Sequence, residues 1–290
     1  MIPTAITAAT RIAGVIGHPV GHSLSPALHN AGFASLQIDW AYAAFDVPPG
    51  SVSDALRAMR TLGIGGLSVT MPHKEAAAEA VDELDPSAAA LHSVNTVVAL
   101  PDGRLVGHST DGDGFVASLA DAGVPTVGVS VCVLGAGGAA RSIVEALARH
   151  GVASIVVVNR SAAGATRAAA LAGPLGATHQ LGSQRAAQAI RDAALVVNAT
   201  SVGMGSAELP IDPALLHRGQ VVADIVYHPR HTALLGAAHA AGARTVEGLG
   251  MLVHQAALQQ RLWTGRSPDV AAMAAAAEHE LALRQQHPDE

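Results

Sequence analysis

The chain has 290 residues, half of them hydrophobic but only 2% aromatic, and a formal net charge of -6. That length suits one large domain or two modest ones, and the acidic balance removes the basic footprint expected of a nucleic-acid binder. No apolar run reaches the length of a membrane span, the N-terminus lacks a charged leader pattern, and the single Cys132 excludes an internal disulfide or a cysteine zinc site, so a soluble cytoplasmic protein is expected.

Apolar β-like runs alternate with helix-like segments, the pattern of an α/β protein with largely parallel sheets. In order come a strand "IAGVIG", a helix from Ser25, a strand "WAYAAFDV" and a helix "SVSDALRAMRTLG". A strand "GGLSVT" and a helix from Lys74 follow, then strands "VNTVVAL" and "RLVGHST" on either side of the turn "PDG". After the helix "DGDGFVASLADAG" and the stretch "VPTVGVS", a second series opens with "VCVLGAGGAARSIVEALARHG" and runs through "SIVVVNR", "LVVNAT", "VVADIVY" and "RTVEGL". Two helices, "GMLVHQAALQQRLWTG" and "PDVAAMAAAAEHELALRQQ", finish the chain. Two domains are expected, with the boundary between residues 111 and 125; the polar tail "RQQHPDE" reads as a frayed end.

The second series carries a dinucleotide fingerprint. Gly135, Gly137 and Ala140 stand as G-x-G-x-x-A between a strand and a helix. The first glycine permits the tight turn, the second lets the backbone approach a pyrophosphate, and the alanine permits close helix packing. Free N–H groups at the helix start suit the phosphates. The next strand ends in Asn159, Arg160 and Ser161, where an NAD site usually has an acidic residue for the ribose hydroxyl. Arg160 can stack on adenine and pair with a 2′-phosphate, so NADP is favoured over NAD.

Scarce polar residues gather at strand ends. The chain has four asparagines, and Asn95, Asn159 and Asn198 begin or end strands. Ser23 and Ser25 follow the first strand, Thr70 ends the third, and Thr110 and Asp111 close "GHSTDG". Just past Thr70 stands Lys74, the only lysine in a chain that otherwise draws its positive charge from arginine. Arginine holds its proton, whereas lysine can release one. Strand termini on one edge are where α/β ligand sites form. Hydroxyls, amides, one lysine and one carboxylate suit a small polyhydroxylated anion, with lysine and carboxylate moving a proton while a nicotinamide takes hydride.

These motifs, "GHSLSPALHN", "SVTMPHK", "SVNTV", "STDG", "GAGGAAR", "NRS", "NATSVGM" and "EGLGMLVHQA", resemble those of the shikimate dehydrogenase family, in order and over nearly the whole chain. The resemblance implies an N-terminal α/β substrate domain, residues 1–111 completed by 251–290, and a Rossmann-type domain, residues 112–250, facing it across a cleft. It implies that Ser23 and Ser25 hold a substrate carboxylate and that Thr70, Asn95 and Gln255 contact hydroxyls. Lys74 and Asp111 would form the catalytic pair, with Tyr227 beside the substrate. The cofactor would rest on Gly135, Ala136, Gly137, Gly138 and Ala139, on Asn159, Arg160 and Ser161, and on Thr200, Ile225 and Gly248. Two departures stand out. Ser109 replaces a frequent asparagine, and Arg167 falls about two residues beyond the family spacing, which leaves the 2′-phosphate mainly to Arg160.

The implied activity is reversible NADP-dependent reduction of 3-dehydroshikimate to shikimate, by a monomer or homodimer acting on a small molecule. Alternatives are a quinate or aminoshikimate dehydrogenase of the same family, a non-catalytic paralogue, and a methylenetetrahydrofolate-dehydrogenase-like enzyme. The paralogue could dispense with the lysine–carboxylate pair, and the last has no need of "GHSLSP" with "STDG". No metal is expected: His18 with His22, and His228 with His231, lack the other members of a ligand set. Cys132, inside an apolar strand, reads as a small core residue.

Overall fold

The computed structural model describes residues 6–286. The chain begins with β1 (Arg11–Gly17), α1 (Ser25–Ser35), β2 (Trp40–Asp46), α2 (Val52–Leu62), β3 (Gly66–Val69) and α3 (Lys74–Ala80). A short β4 (Glu83–Leu84) and α4 (Pro86–Leu91) lead to the hairpin of β5 (Thr96–Ala99) and β6 (Leu105–His108). Next come α5 (Asp111–Asp121), β7 (Ser130–Leu134), α6 (Gly138–Arg149), β8 (Ser154–Asn159), α7 (Ala162–Ala170), β9 (Gly176–Gln180), α8 (Gln184–Asp192) and β10 (Leu195–Asn198). The chain ends with β11 (Val221–Asp224), α9 (Ala233–Ala240), β12 (Arg244–Val246), α10 (Leu249–Thr264) and α11 (Val270–Gln286).

Local chemistry sets the ends of these elements. On α2, Val52, Leu56 and Met59 form one buried face, and Gly63 at φ +66° closes the helix in the left-handed region that glycine adopts freely. Ser161, Ser183 and Thr232 cap α7, α8 and α9 through side-chain oxygens that accept from backbone N–H groups. The stretch "VPTVGV" forms no strand: Pro125 and Gly128, at φ +73°, make it a loop that exposes Val127 and leads into β7 at Ser130. The last helix runs to Gln286 and so takes in the start of the tail read as frayed; residues 287–290 lie outside the described residues.

The chain divides into two units, one running to Thr110 and resuming at Val253, the other Asp111–Leu252. The first unit holds a six-stranded sheet in the order β2-β1-β3-β5-β6-β4. It is parallel from β2 to β3 and antiparallel across β3, β5 and β6. Its core gathers Ile16, Leu56, Met59, Leu67, Val94 and Leu105 on one side. Phe33, Tyr42 and Trp263 pack with Ala13 and Val15 in a second cluster. The Trp263 ring lies so close to Gly66 that a Cβ there would come within 2.5 Å of it, and its Nε1 donates to the Val97 carbonyl at 3.1 Å. Helix α10 is thereby sealed onto the sheet.

The second unit holds an all-parallel sheet in the order β12-β11-β10-β7-β8-β9, which read from its far end is the 3-2-1-4-5-6 arrangement of a doubly wound nucleotide-binding fold. Parallel strands covered on both faces read as unbroken apolar runs, as "SVCVL" and "LVVN" do. The strand order reverses between β7 and β10, the place where such folds bind ligands.

Candidate active site

In the first unit, sheet register gathers the polar residues at one edge. Thr70 follows β3 and its N–H donates to the Ile16 carbonyl at 2.9 Å; Val69 N–H donates to the Asn95 carbonyl at 2.8 Å. Because β5 runs antiparallel to both β3 and β6, Asn95 at its start lies beside the ends of those strands. The Asn95 amide donates to Thr110 Oγ1 at 3.0 Å and its oxygen accepts from Thr110 N–H at 2.9 Å. Lys74 opens α3, and its carbonyl accepts from Val94 N–H at 2.9 Å. Its neighbour His73 is buried, with Nε2 bonded to the Val47 carbonyl at 2.7 Å, and serves the packing of the turn. The loop between β1 and α1 adds Ser23 and Ser25, and Ser23 Oγ accepts from Ser25 N–H at 3.1 Å. Thr70, Lys74, Asn95 and the serine loop therefore share one edge.

Sequence reading missed a buried network behind that edge. Tyr42 donates its hydroxyl to Ser68 Oγ at 2.6 Å, and Ser68 donates to Gln259 Oε1 at 2.7 Å. The Gln259 amide donates to the Asn95 carbonyl at 3.2 Å. Gln255 stands one turn before Gln259 on α10 and is also buried, so both belong to the face packed on the sheet. His29 lies against this network, stacked on Tyr42 with ring centroids 4.1 Å apart. Gln260 Nε2 donates to His29 Nδ1, which leaves the ring proton on Nε2 to donate to Gln259 Oε1, both at 3.2 Å. Burial holds His29 neutral, with its pKa pushed down to about 3, and raises Tyr42 above the usual phenol range despite hydroxyl partners at Ser68 and Ser25. The sequence signal was slight: one of two tyrosines in a strand, and a Gln-Gln pair inside an apolar helix.

In the second unit the glycine loop follows β7 at the reversal of strand order. Gly135 takes φ +105°, and a Cβ there would approach the Ala199 carbonyl oxygen to 2.9 Å, so no side chain fits. At Gly137 and Gly138 a Cβ would instead point into open space, and Gly137 caps the 12-residue helix α6. A bare backbone before a helix N-terminus is the cradle that a pyrophosphate needs, so the residues fit a dinucleotide. Ala136 and Ala139 flank the two glycines and add no bulk. Beyond β8, Asn159 donates its amide to the Ser161 carbonyl at 3.1 Å, while Ser161 Oγ accepts from Gly164 N–H at 3.3 Å. Arg160 between them is exposed, and Arg167 lies further along α7, also exposed.

A second hub sits at the ends of β10 and β11. Asn198 Oδ1 accepts from the Thr200 N–H and hydroxyl at 3.1 and 2.7 Å. Asp224 accepts from the Asn198 amide at 2.9 Å, Val226 N–H at 3.0 Å and the Thr232 hydroxyl at 2.7 Å. Burial raises the Asp224 pKa against these donors. The hub fixes the path of Ile225 and of the segment reaching Tyr227. Gly248 packs on the same backbone, where a Cβ would fall 2.5 Å from the Ile225 carbonyl. Asp111 begins α5 in this unit and Lys74 lies in the other. Among the described residues, no group of three His, Cys, Asp or Glu side chains could hold a metal ion, and no helix is long and apolar enough to cross a membrane. Cys132 is buried in β7, and burial pushes its thiol up to about 12.

An all-parallel sheet in this order, with its glycine cradle at the point of reversal, joined to a unit bearing lysine, amide and hydroxyl groups at one sheet edge, defines a nucleotide-dependent oxidoreductase class. Models of the shikimate dehydrogenase substrate binding domain, of shikimate / quinate 5-dehydrogenase and of the shikimate 5′-dehydrogenase C-terminal domain match residues 15–97, 118–207 and 248–278. The shikimate dehydrogenase (NADP(+)) of Moorella thermoacetica is 44% identical over 274 residues, 92% of each chain. Shikimate 5-dehydrogenase from Thermus thermophilus, solved with NADP(H) and shikimate, superposes with a TM-score of 0.84 at 38% identity, covering 93% of this chain and 99% of that one. Quinate dehydrogenase from Corynebacterium glutamicum, solved with NAD, gives 0.84 at 33% identity, covering 92% and 98%. The chain belongs to the shikimate dehydrogenase family.

Proposed function

We infer that the protein is an NADP-dependent shikimate dehydrogenase, reversibly reducing 3-dehydroshikimate to shikimate. The observation that carries this reading is near full-length identity of 44% to an NADP(+)-dependent shikimate dehydrogenase, on a chain whose glycine cradle fits a dinucleotide. When bound, NADPH supplies the hydride for the ring ketone. Gly135–Ala139 hold the pyrophosphate, Asn159, Arg160 and Ser161 the adenosine end, and Thr200, Ile225 and Gly248 the nicotinamide end. Ser23 and Ser25 donate hydroxyl hydrogen bonds to the substrate carboxylate. Thr70, Asn95 and Gln255 orient the ring hydroxyls, and Tyr227 closes against the ring. Lys74 gives a proton to the carbonyl oxygen as it becomes an alkoxide, and Asp111 keeps that lysine charged and replenished. Such a positioned acid contributes about 10²–10⁴-fold. The enzyme works in the cytoplasm as a monomer or homodimer.

Quinate differs from shikimate by one hydroxyl across a saturated bond, and the likeness to a quinate dehydrogenase makes it the second reading. Steady-state kinetics with shikimate, quinate and aminoshikimate, each against NADP and NAD, decides between them. Highest kcat/KM for shikimate with NADP is expected; higher efficiency with quinate overturns the assignment.

A further inference from the structure

The loop that carries Ser23 contains no arginine or lysine, yet a cation reaches it from the opposite end of the chain. Arg284, in the last turn of α11, donates from Nη1 to the His22 carbonyl at 2.6 Å and from Nη2 to the Ser23 carbonyl at 3.2 Å. Its Nε is held by Glu280 Oε1 at 2.9 Å, one turn back, so the planar fork is aimed before it meets the loop. At its other end α11 is tied to the end of α1, the helix this loop leads into: Asp269 N–H donates to Ser35 Oγ at 3.0 Å. Helix α11 therefore runs beside α1 as a strap fastened at both ends.

The loop between β1 and α1 is anchored at its start by His18 N–H on the Met71 carbonyl at 3.0 Å and by the buried side chains of Val20 and Leu24, while Gly21 and His22 between those anchors are exposed. Within this loop Ser23 N–H donates to the Val20 carbonyl at 3.0 Å, and Ser25 N–H donates to Ser23 Oγ. That last bond uses a lone pair of Ser23 and leaves its hydroxyl proton available to donate outward. Where Ser23 Oγ sits depends on the two peptide planes that flank its Cα, and their carbonyl oxygens, of His22 and Ser23, are the two that Arg284 grips. We propose that Arg284 is a positioning residue for the serine loop, holding Ser23 ready to receive the substrate carboxylate. The inference rests on the carboxylate being bound by that loop. Arg284 and Glu280 are each about one-third exposed, 35% and 34%, so the pair acts through geometry more than through net charge.

The test uses the full chain with Arg284→Ala, Arg284→Lys, Glu280→Gln and Ser23→Ala. For Arg284→Ala the KM for shikimate should rise roughly three- to tenfold with kcat within about twofold and the KM for NADP unchanged, the signature of lost binding rather than lost chemistry. Lysine reaches one carbonyl rather than two and should recover part of the loss, while Glu280→Gln should give a smaller rise of the same kind. Amide hydrogen exchange across residues 20–25 should quicken in the same rank order in ligand-free protein. If Arg284→Ala raises neither KM nor exchange, or moves kcat and both KM values together, the positioning role is wrong. Should that variant not fold, the lysine and Glu280→Gln variants carry the same comparison. If Ser23→Ala leaves the KM for shikimate unchanged while exchange still responds to Arg284, the strap stands and the carboxylate assignment falls.

Discussion

The Asn198 amide and the Asp224 carboxylate meet at 2.9 Å at the ends of two adjacent parallel strands. Each then serves a different loop, Asn198 accepting from Thr200 and Asp224 from Val226 and Thr232. Asp224→Ala would leave three buried donors without their acceptor, at about 1–3 kcal/mol for each that stays unsatisfied. Denaturant unfolding should show a loss of about 2–4 kcal/mol after partial relaxation, while Asp224→Asn, which keeps one acceptor oxygen, loses far less. Equal effects from the two changes would mean that the hydrogen bonds are not what matters.

His29 gives the protein a specific acid sensitivity. Its folded pKa of about 3 lies below the ordinary histidine value of 6.5, so below pH 6.5 the unfolded chain binds a proton that the folded chain refuses. Stability from this group is therefore complete above pH 6.5 and is lost as the pH falls toward 3, at about 1.4 kcal/mol per pH unit. His29→Phe should flatten the dependence measured by urea unfolding at pH 7, 6 and 5, whatever its effect at pH 7. An unchanged slope would show that His29 is not buried neutral.

Lys74 should tolerate no other cation. Arginine keeps the charge but is too basic to exchange a proton and too wide for the same place. For Lys74→Arg, turnover should fall by about 10²–10⁴-fold with a modest change in NADP affinity. Turnover of shikimate within about threefold of the parent, far less than proton transfer requires, would sink the acid role.

Arg160 should decide the cofactor. A charge-assisted bond to the 2′-phosphate is worth roughly 1.5–3 kcal/mol, or about ten- to a hundredfold between NADP and NAD. Arg160→Ala should remove most of that ratio in kcat/KM while leaving NAD-linked activity near its starting value. Equal efficiency with both cofactors in the parent protein would refute the assignment.

Much of this was written locally and some was not. The glycine loop, "NRS" and "SVTMPHK" could be read because their chemistry depends on neighbours a few positions away. Strand β9, "GATHQ", has no apolar alternation, and α8 buries only Ala186 and Ile190, so tertiary packing rather than pattern decides both. The link from Tyr42 through Ser68 to Gln259 joins residues 26 and then 191 positions apart, and no spacing rule connects them. Arg284 was invisible for the same reason: its partners lie 262 and 261 positions earlier, and a polar tail looks alike whether idle or engaged.

The division of the chain also dictates an order of assembly on the ribosome. The first unit's six strands all precede Thr110, but the residues that pack on its sheet and hold its serine loop, Gln259, Trp263 and Arg284, lie in helices α10 and α11, which follow every strand of the second unit. At about 5–20 residues per second, synthesis of the intervening segment takes on the order of ten seconds. At the end of that interval the nucleotide-binding unit, contiguous from Asp111 to Leu252, has every strand it needs, while the earlier sheet still lacks α10 and α11. Of the two units, the one whose strands are made first therefore receives its last two helices after the other has all its strands.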